Sequence, residues 1–179
     1  MNINKLVELG VVLVEGVLGV DGEIEPEALV MRMGEGGELE MGVISVGELM
    51  GQGEAGKDQV AEGLRRVAGM QGVVAIVMVS DTGHWNLEGA DWKGAGYASL
   101  EELGRAFAGM GLEERLGVCE RLEAVHVSID SKWGRASIAQ TYRRVGRMRL
   151  AVGEVMVMID GVGGAEIKGR LASFFEPGN

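Results

Sequence analysis

The chain reads as an α+β protein: one mainly antiparallel sheet of five or six strands with helices packed on it. Three observations predict this. Short apolar runs joined by Gly-rich turns recur in pairs, as hairpins do. Between them stand segments whose apolar residues lie three and four apart, the helical period. Val73 to Val79 is seven consecutive apolar residues, mostly β-branched, a strand covered on both faces and therefore central. The expected order is α-β-β-α-β-α-β-β-β-α in a single domain, residues 1–179, without linker or internal repeat.

Residues 3–20 place Leu6, Leu9, Leu13, Val17 and Val20 on one helical face, with Val7, Val11, Val14 and Leu18 beside it. A helix apolar nearly all round needs burial on more than one side, and a homodimer would supply the second. Leu9 to Val20 falls short of the roughly 20 residues that span a bilayer, and Glu8 and Glu15 interrupt the segment. Ala28–Met33 and Leu39–Val46, joined by Gly34-Glu35-Gly36-Gly37-Glu38, form a hairpin. Val60, Leu64 and Val67 define an amphipathic helix over 57–70, and the central strand follows as Val73–Asp81. Residues 82–98 show no periodicity and carry Trp85, Trp92 and Tyr97 among glycines, an aromatic loop inserted in the domain. Ser99-Leu100-Glu101-Glu102 is a capping box opening a helical stretch that breaks near Gly109 and Gly111. Val125, Val127 and Ile129 alternate with His126, Ser128 and Asp130; a turn at 131–134 leads into Arg135–Arg144. Met148–Ile159 supplies one more strand or hairpin, and a last helix turns Ile167, Leu171 and Phe174 inward.

With 179 residues, 46% of them apolar, the chain can build a full core without disulfide or metal. Its net charge of -10 argues against nucleic acid as a partner, because phosphate neutralisation needs a basic surface. The single Cys119 cannot bridge internally, which fits a reducing cytoplasm and a buried thiol. Thirty-one glycines, some inside helical segments, make Gly-rich motifs weak signals here.

Four patterns carry candidate chemistry. Gly51-Gln52-Gly53-Glu54-Ala55-Gly56-Lys57 satisfies G-x-x-x-x-G-K between a strand and a helix, with Asp160 after an apolar strand as a candidate Mg²⁺ ligand. Against it, Asp58 replaces the metal-holding hydroxyl, Glu54 adds a second negative charge, and the preceding strand belongs to a hairpin. Asp81-Thr82-Gly83 matches the aspartic-protease triplet, but His84 stands where a small residue is wanted. Gly161-Val162-Gly163-Gly164 echoes a dinucleotide turn with Glu166 in the third glycine's place. His126, Ser128 and Asp130 have triad residue types. On one strand they stand about 6.5 Å apart, too far for a relay.

The expectation is therefore contact rather than catalysis, with no metal and no cofactor. The candidate binding residues are Asp81, His84, Trp85, Trp92 and Tyr97 at the aromatic loop, and Arg143, Arg144, Arg147 and Arg149 in the one basic region. The rival expectation is a nucleotide-binding enzyme using Gly51, Gly56, Lys57 and Asp160.

The order α-β-β-α-β-β-β-α that remains without the loop and middle helix resembles the roadblock and longin group of dimerisation and scaffold modules, and more distantly profilin. Ser80-Asp81 with Trp85, and Glu123-Ala124-Val125-His126-Val127-Ser128-Ile129-Asp130, also resemble a loose family of uncharacterised bacterial and phage proteins. These resemblances imply a protein-interaction or regulatory module of bacterial or phage origin, acting on a host or defence component.

Overall fold

The computed structural model describes residues 1–87, 89–163, 167, 174 and 175, and of His84 the backbone. Its six strands are β1 (Glu27–Met33), β2 (Leu39–Ser45), β3 (Val73–Trp85), β4 (Arg121–Ser131), β5 (Gly134–Val145) and β6 (Met148–Ile159). They form one antiparallel sheet in the order β2-β1-β3-β4-β5-β6. Among the described residues five helices accompany it: α1 (Ile3–Leu18), α2 (Gly47–Met50), α3 (Glu54–Ala68), α4 (Leu100–Phe107) and α5 (Leu112–Val118). The α+β architecture read from the sequence is the architecture of the molecule.

Two helices cover opposite faces of the sheet because alternate strand residues point to opposite sides. On one face α1 packs over β4, β5 and β6. Its core holds Leu6 and Val14 with Val77, Val79, Val127, Ile129 and Ile138. On the other face α3 sets Val60 and Leu64 against Ala28, Ile76 and Met78, and Phe174 joins them. Val73 to Val79 are all buried, as a central strand requires.

The contact line of α1 runs through Leu6, Gly10 and Val14 rather than along the leucines. Leu9, Leu13 and Val17 are half-buried on its flanks, and Val20 is exposed. Gly10 decides the rotation. A Cβ there would lie 2.2 Å from Ile138 Cδ1, so the missing side chain lets the helix sit down on β5. Asn2 caps the helix, its side-chain oxygen accepting from the Lys5 N–H at 3.0 Å.

Three boundaries differ from those read in the sequence. The central strand does not stop at Asp81: Thr82–Trp85 continue it and pair with Arg121–Ala124 of β4. Thr82-Gly83 looks like turn punctuation. Gly83 instead sits inside the strand because the Arg121 guanidinium lies over it, with Nε 2.3 Å from where a Cβ would stand. The inserted segment therefore begins at Asn86. Met148–Ile159 is one strand, not a hairpin, and carries a bulge at Gly153, whose φ is 73°. The short α2 stands between β2 and α3, where the sequence shows no separate element. The expected last helix lies outside the described residues except Ile167 and Phe174, both buried. Among the described residues no helix is long and apolar enough to cross a membrane.

Candidate functional site

The far end of β3 delivers Asp81 to the α1 face, beside side chains from β4 and β5. The Tyr142 hydroxyl donates to Asp81 Oδ2 at 3.0 Å, and the Arg144 guanidinium approaches the same oxygen at 3.6 Å. Arg144 also pairs with Glu123 at 2.9 Å. Burial raises the Tyr142 phenol above its ordinary value, and the bond to Asp81 adds to the shift. Asp81, Thr82, Gly83, Arg121, Leu122 and Glu123 line an open cleft here. One Asp81 oxygen, Oδ1, is buried with no hydrogen-bond partner among the described residues. The arrangement is an ion-pair lattice around one carboxylate.

The aromatic segment is folded back. Trp85 meets Phe107 edge-on, centroids 5.5 Å apart. Trp92 and Tyr97 are half-buried against a small separate core of Ala90, Leu103, Phe107 and Cys119. Burial raises the Cys119 thiol above its ordinary value, so it packs as a hydrophobe. The Ser99 hydroxyl accepts from the Glu102 N–H at 3.1 Å, holding α4 beneath the aromatics. For His84, the structure gives only backbone pairing with Leu122.

The arginine group does not form one free basic surface. Arg143 makes a two-pronged pair with Glu120 at 2.8 and 3.0 Å, and Arg144 is engaged as above. Arg149 corrects the sequence reading most plainly. It is buried, and its guanidinium donates to the carbonyls of Val17, Val20 and Gly22 at the end of α1. A cation there adds a charged donor to carbonyls at the helix end, of which Val17's also accepts the Val20 N–H at 3.4 Å. Arg147, at the β5–β6 turn, is exposed like Arg143 and Arg144 but makes no ion pair among the described residues.

The G-x-x-x-x-G-K segment is explained by packing. Helix α3 begins at Glu54, so Gly56 and Lys57 lie inside its first turn. A Cβ on Gly56 would fall 1.8 Å from the Leu49 carbonyl oxygen, so this glycine lets α2 rest on α3. Lys57 pairs with Glu54 at 2.9 Å. The N–H groups of Gly51 and Gln52 donate to Gly47 and Leu49 carbonyls, not to an open cradle. Asp160 follows β6, three strand spacings from β3, or about 14 Å. It holds the Ile167 N–H and faces Arg135. Lys57 and Asp160 have different partners, and α3 packs on β1 and β3 whereas Asp160 follows β6 at the far edge of the sheet.

The polar strand His126, Ser128 and Asp130 is likewise internal. His126 Nε2 meets Ser137 Oγ at 2.8 Å, and burial lowers the imidazole below 6.5. Asp130 is buried and accepts the N–H groups of Phe174 and Phe175. Burial raises its carboxyl, while those two donors and Arg135 at 3.4 Å pull it back.

Sequence reasoning passed over the outer strand of the hairpin. Every residue of β2 is exposed. The Gly34 N–H donates to the Glu38 carbonyl and the Val46 N–H to the Pro26 carbonyl. In an antiparallel pair bonded and non-bonded residues alternate. Even-numbered β2 residues therefore bond to β1. Leu39, Met41, Val43 and Ser45 turn their N–H and C=O groups outward. The first three carry apolar side chains exposed by 40%, 57% and 61%. The alternation Leu39, Met41, Val43 is visible in the sequence, but whether a strand is central or at an edge is a property of the fold.

The chain was compared with protein-family models, with curated proteins and with solved structures, and matches none of them.

Proposed function

We propose that this chain is a non-catalytic protein-interaction module whose working surface is the open edge of β2. The observation that supports it is the coincidence of two kinds of unmet valence on one strand. The outward backbone groups of Leu39, Met41, Val43 and Ser45 offer a hydrogen-bond ladder, and three exposed apolar side chains lie along the same edge. Addition of a partner strand satisfies both at once. Edges that are not used are commonly blunted by a bulge, a proline or an inward charge. The other edge strand, β6, has its bulge at Gly153 and the buried Arg149. β2 has neither proline nor lysine and pairs in unbroken register along its length.

The test is selection from a displayed library of extended peptides, with Met41→Pro as the control. The Met41 N–H points away from β1, so proline there removes an outward donor and leaves the β1–β2 ladder whole. Peptides that bind the parent chain and lose binding to Met41→Pro support the reading. An empty selection, or peptides that bind both proteins alike, overturns it.

A further inference from the structure

The partner strand has a readable charge. Residues 21–54, which comprise β1, β2, α2 and their connections, hold nine acids and a single base, Arg32. That is a net charge of -8, against -10 for the whole chain. All nine acids are exposed, and Glu54 is the one paired with Lys57. Glu27, Glu35, Glu38, Glu40 and Glu48 lie on β1, β2, α2 and the turns that join them, so the open edge is acidic, whereas Asp21 and Glu23 flank Gly22, whose carbonyl is held by Arg149 of β6 at the other edge.

Side-chain geometry agrees with the charge. Leu39, Met41 and Val43 point to the α1 face, and Glu40, Gly42 and Ile44 to the opposite one. Among the described residues, nothing beyond its own chain neighbours lies within 4 Å of where a Gly42 Cβ would stand, leaving open space beside the exposed Glu40 carboxylate. A long lysine or arginine stem can lie over Gly42 and set its charge against Glu40.

Resting on the edge-strand reading above, we propose that the partner is an extended basic amphipathic segment. It carries apolar residues on one face and lysine or arginine on the other, and it adds to β2 as a seventh strand. A second copy of this chain would bring one acidic edge against another. At physiological salt the Debye length is about 8 Å, too long to screen charges across adjoining strands. The charge pattern selects an unlike partner.

Three labelled ten-residue peptides test this by fluorescence anisotropy: valine alternating with lysine, valine alternating with glutamate, and the lysine peptide N-methylated along its pairing edge. The first should bind, with affinity falling as salt is raised. The other two should bind at least about tenfold more weakly, the equivalent of roughly 1.4 kcal/mol. Glu40→Lys, an exposed change that leaves the fold alone, should weaken the lysine peptide and narrow the gap to the glutamate peptide. Equal binding of lysine and glutamate peptides overturns the proposal, and equal binding of the N-methylated peptide reduces it to non-specific attraction. A parent dimer at physiological salt that Met41→Pro dissolves also overturns it, while leaving the edge-strand reading standing. If no peptide of either charge binds, and the library selection is empty too, the edge-strand reading itself has failed.

Discussion

Two glycines on α3, seven residues apart, should respond to alanine in opposite directions. Gly63 is exposed, and among the described residues nothing outside its own stretch of helix backbone lies within 4 Å of where its Cβ would stand. Alanine there gains only helix propensity, a stabilisation of about 0.5–1 kcal/mol. Gly56 receives the same gain, but its Cβ would stand 1.8 Å from the Leu49 carbonyl oxygen and 2.9 Å from its carbon. The obstacle is backbone, so α2 must retreat by about 1.6 Å to restore ordinary contact. Overpacking of this kind costs about 1–3 kcal/mol, and the upper part of that range applies where no side chain can rotate away. The net for Gly56→Ala is a loss of about 1–2 kcal/mol. In a domain of this size 1 kcal/mol moves Tm by about 2–4 °C, so the two variants should melt several degrees apart, on either side of the parent. Urea denaturation of both, with Lys57→Ala alongside, separates packing from phosphate binding. Lys57 forms an exposed pair with Glu54 and should matter by less than about 1 kcal/mol. Stabilisation by Gly56→Ala would refute the packing account. A thermal shift with Mg-ATP that Lys57→Ala abolishes would return the segment to nucleotide binding.

Two further changes probe the sheet. Arg149→Met keeps most of the buried stem but leaves the Val17, Val20 and Gly22 carbonyls without their shared charged donor. Stability should fall by about 3 kcal/mol, with faster amide exchange at the end of α1; a loss under about 1 kcal/mol would mean that water replaces the guanidinium freely. His126, held below 6.5 by burial, binds its proton less readily folded than unfolded. Its contribution is therefore intact above pH 6.5 and lost as pH falls below it, and His126→Gln should flatten the unfolding free energy between pH 7.5 and 5.5. An unchanged slope in the variant would place the titration elsewhere.

The parts of the fold legible in the sequence are those fixed by local pattern. Val73–Val79 announces a central strand because seven apolar residues in a row have no solvent face, and Ser99 with Glu102 announces α4 by its cap. Where a residue answers to a distant neighbour, the sequence is silent. Gly83 reads as a turn until Arg121 is seen lying over it. Arg149 reads as one of a basic group until α1 is found to end against it. The aromatic residues were legible as a cluster, but their destination was not, since the core they fold onto is built from helices downstream. The open edge of β2 was hidden for the most general reason: strand order is a tertiary fact, and the same seven residues would look alike in the middle of a sheet.

An edge as open as β2 is a hazard unless something keeps copies apart, and the acids around it fill that role. Their repulsion acts through water and is screened by ions, whereas the outward backbone groups and the side chains of Leu39, Met41 and Val43 are indifferent to salt. At 1 M salt the Debye length shrinks to about 3 Å, less than one strand spacing, and the repulsion between two such edges is largely removed. The parent chain should then self-associate at concentrations where it is monomeric in 0.15 M salt. Sedimentation velocity across that range reads the change directly. Met41→Pro should stay monomeric throughout, because its edge ladder is broken. Its acids are untouched and its apolar side chains only slightly fewer. Equal association of parent and variant at high salt would trace the contact to the exposed flank of α1 or to β6, and the openness of β2 would then have no part in it.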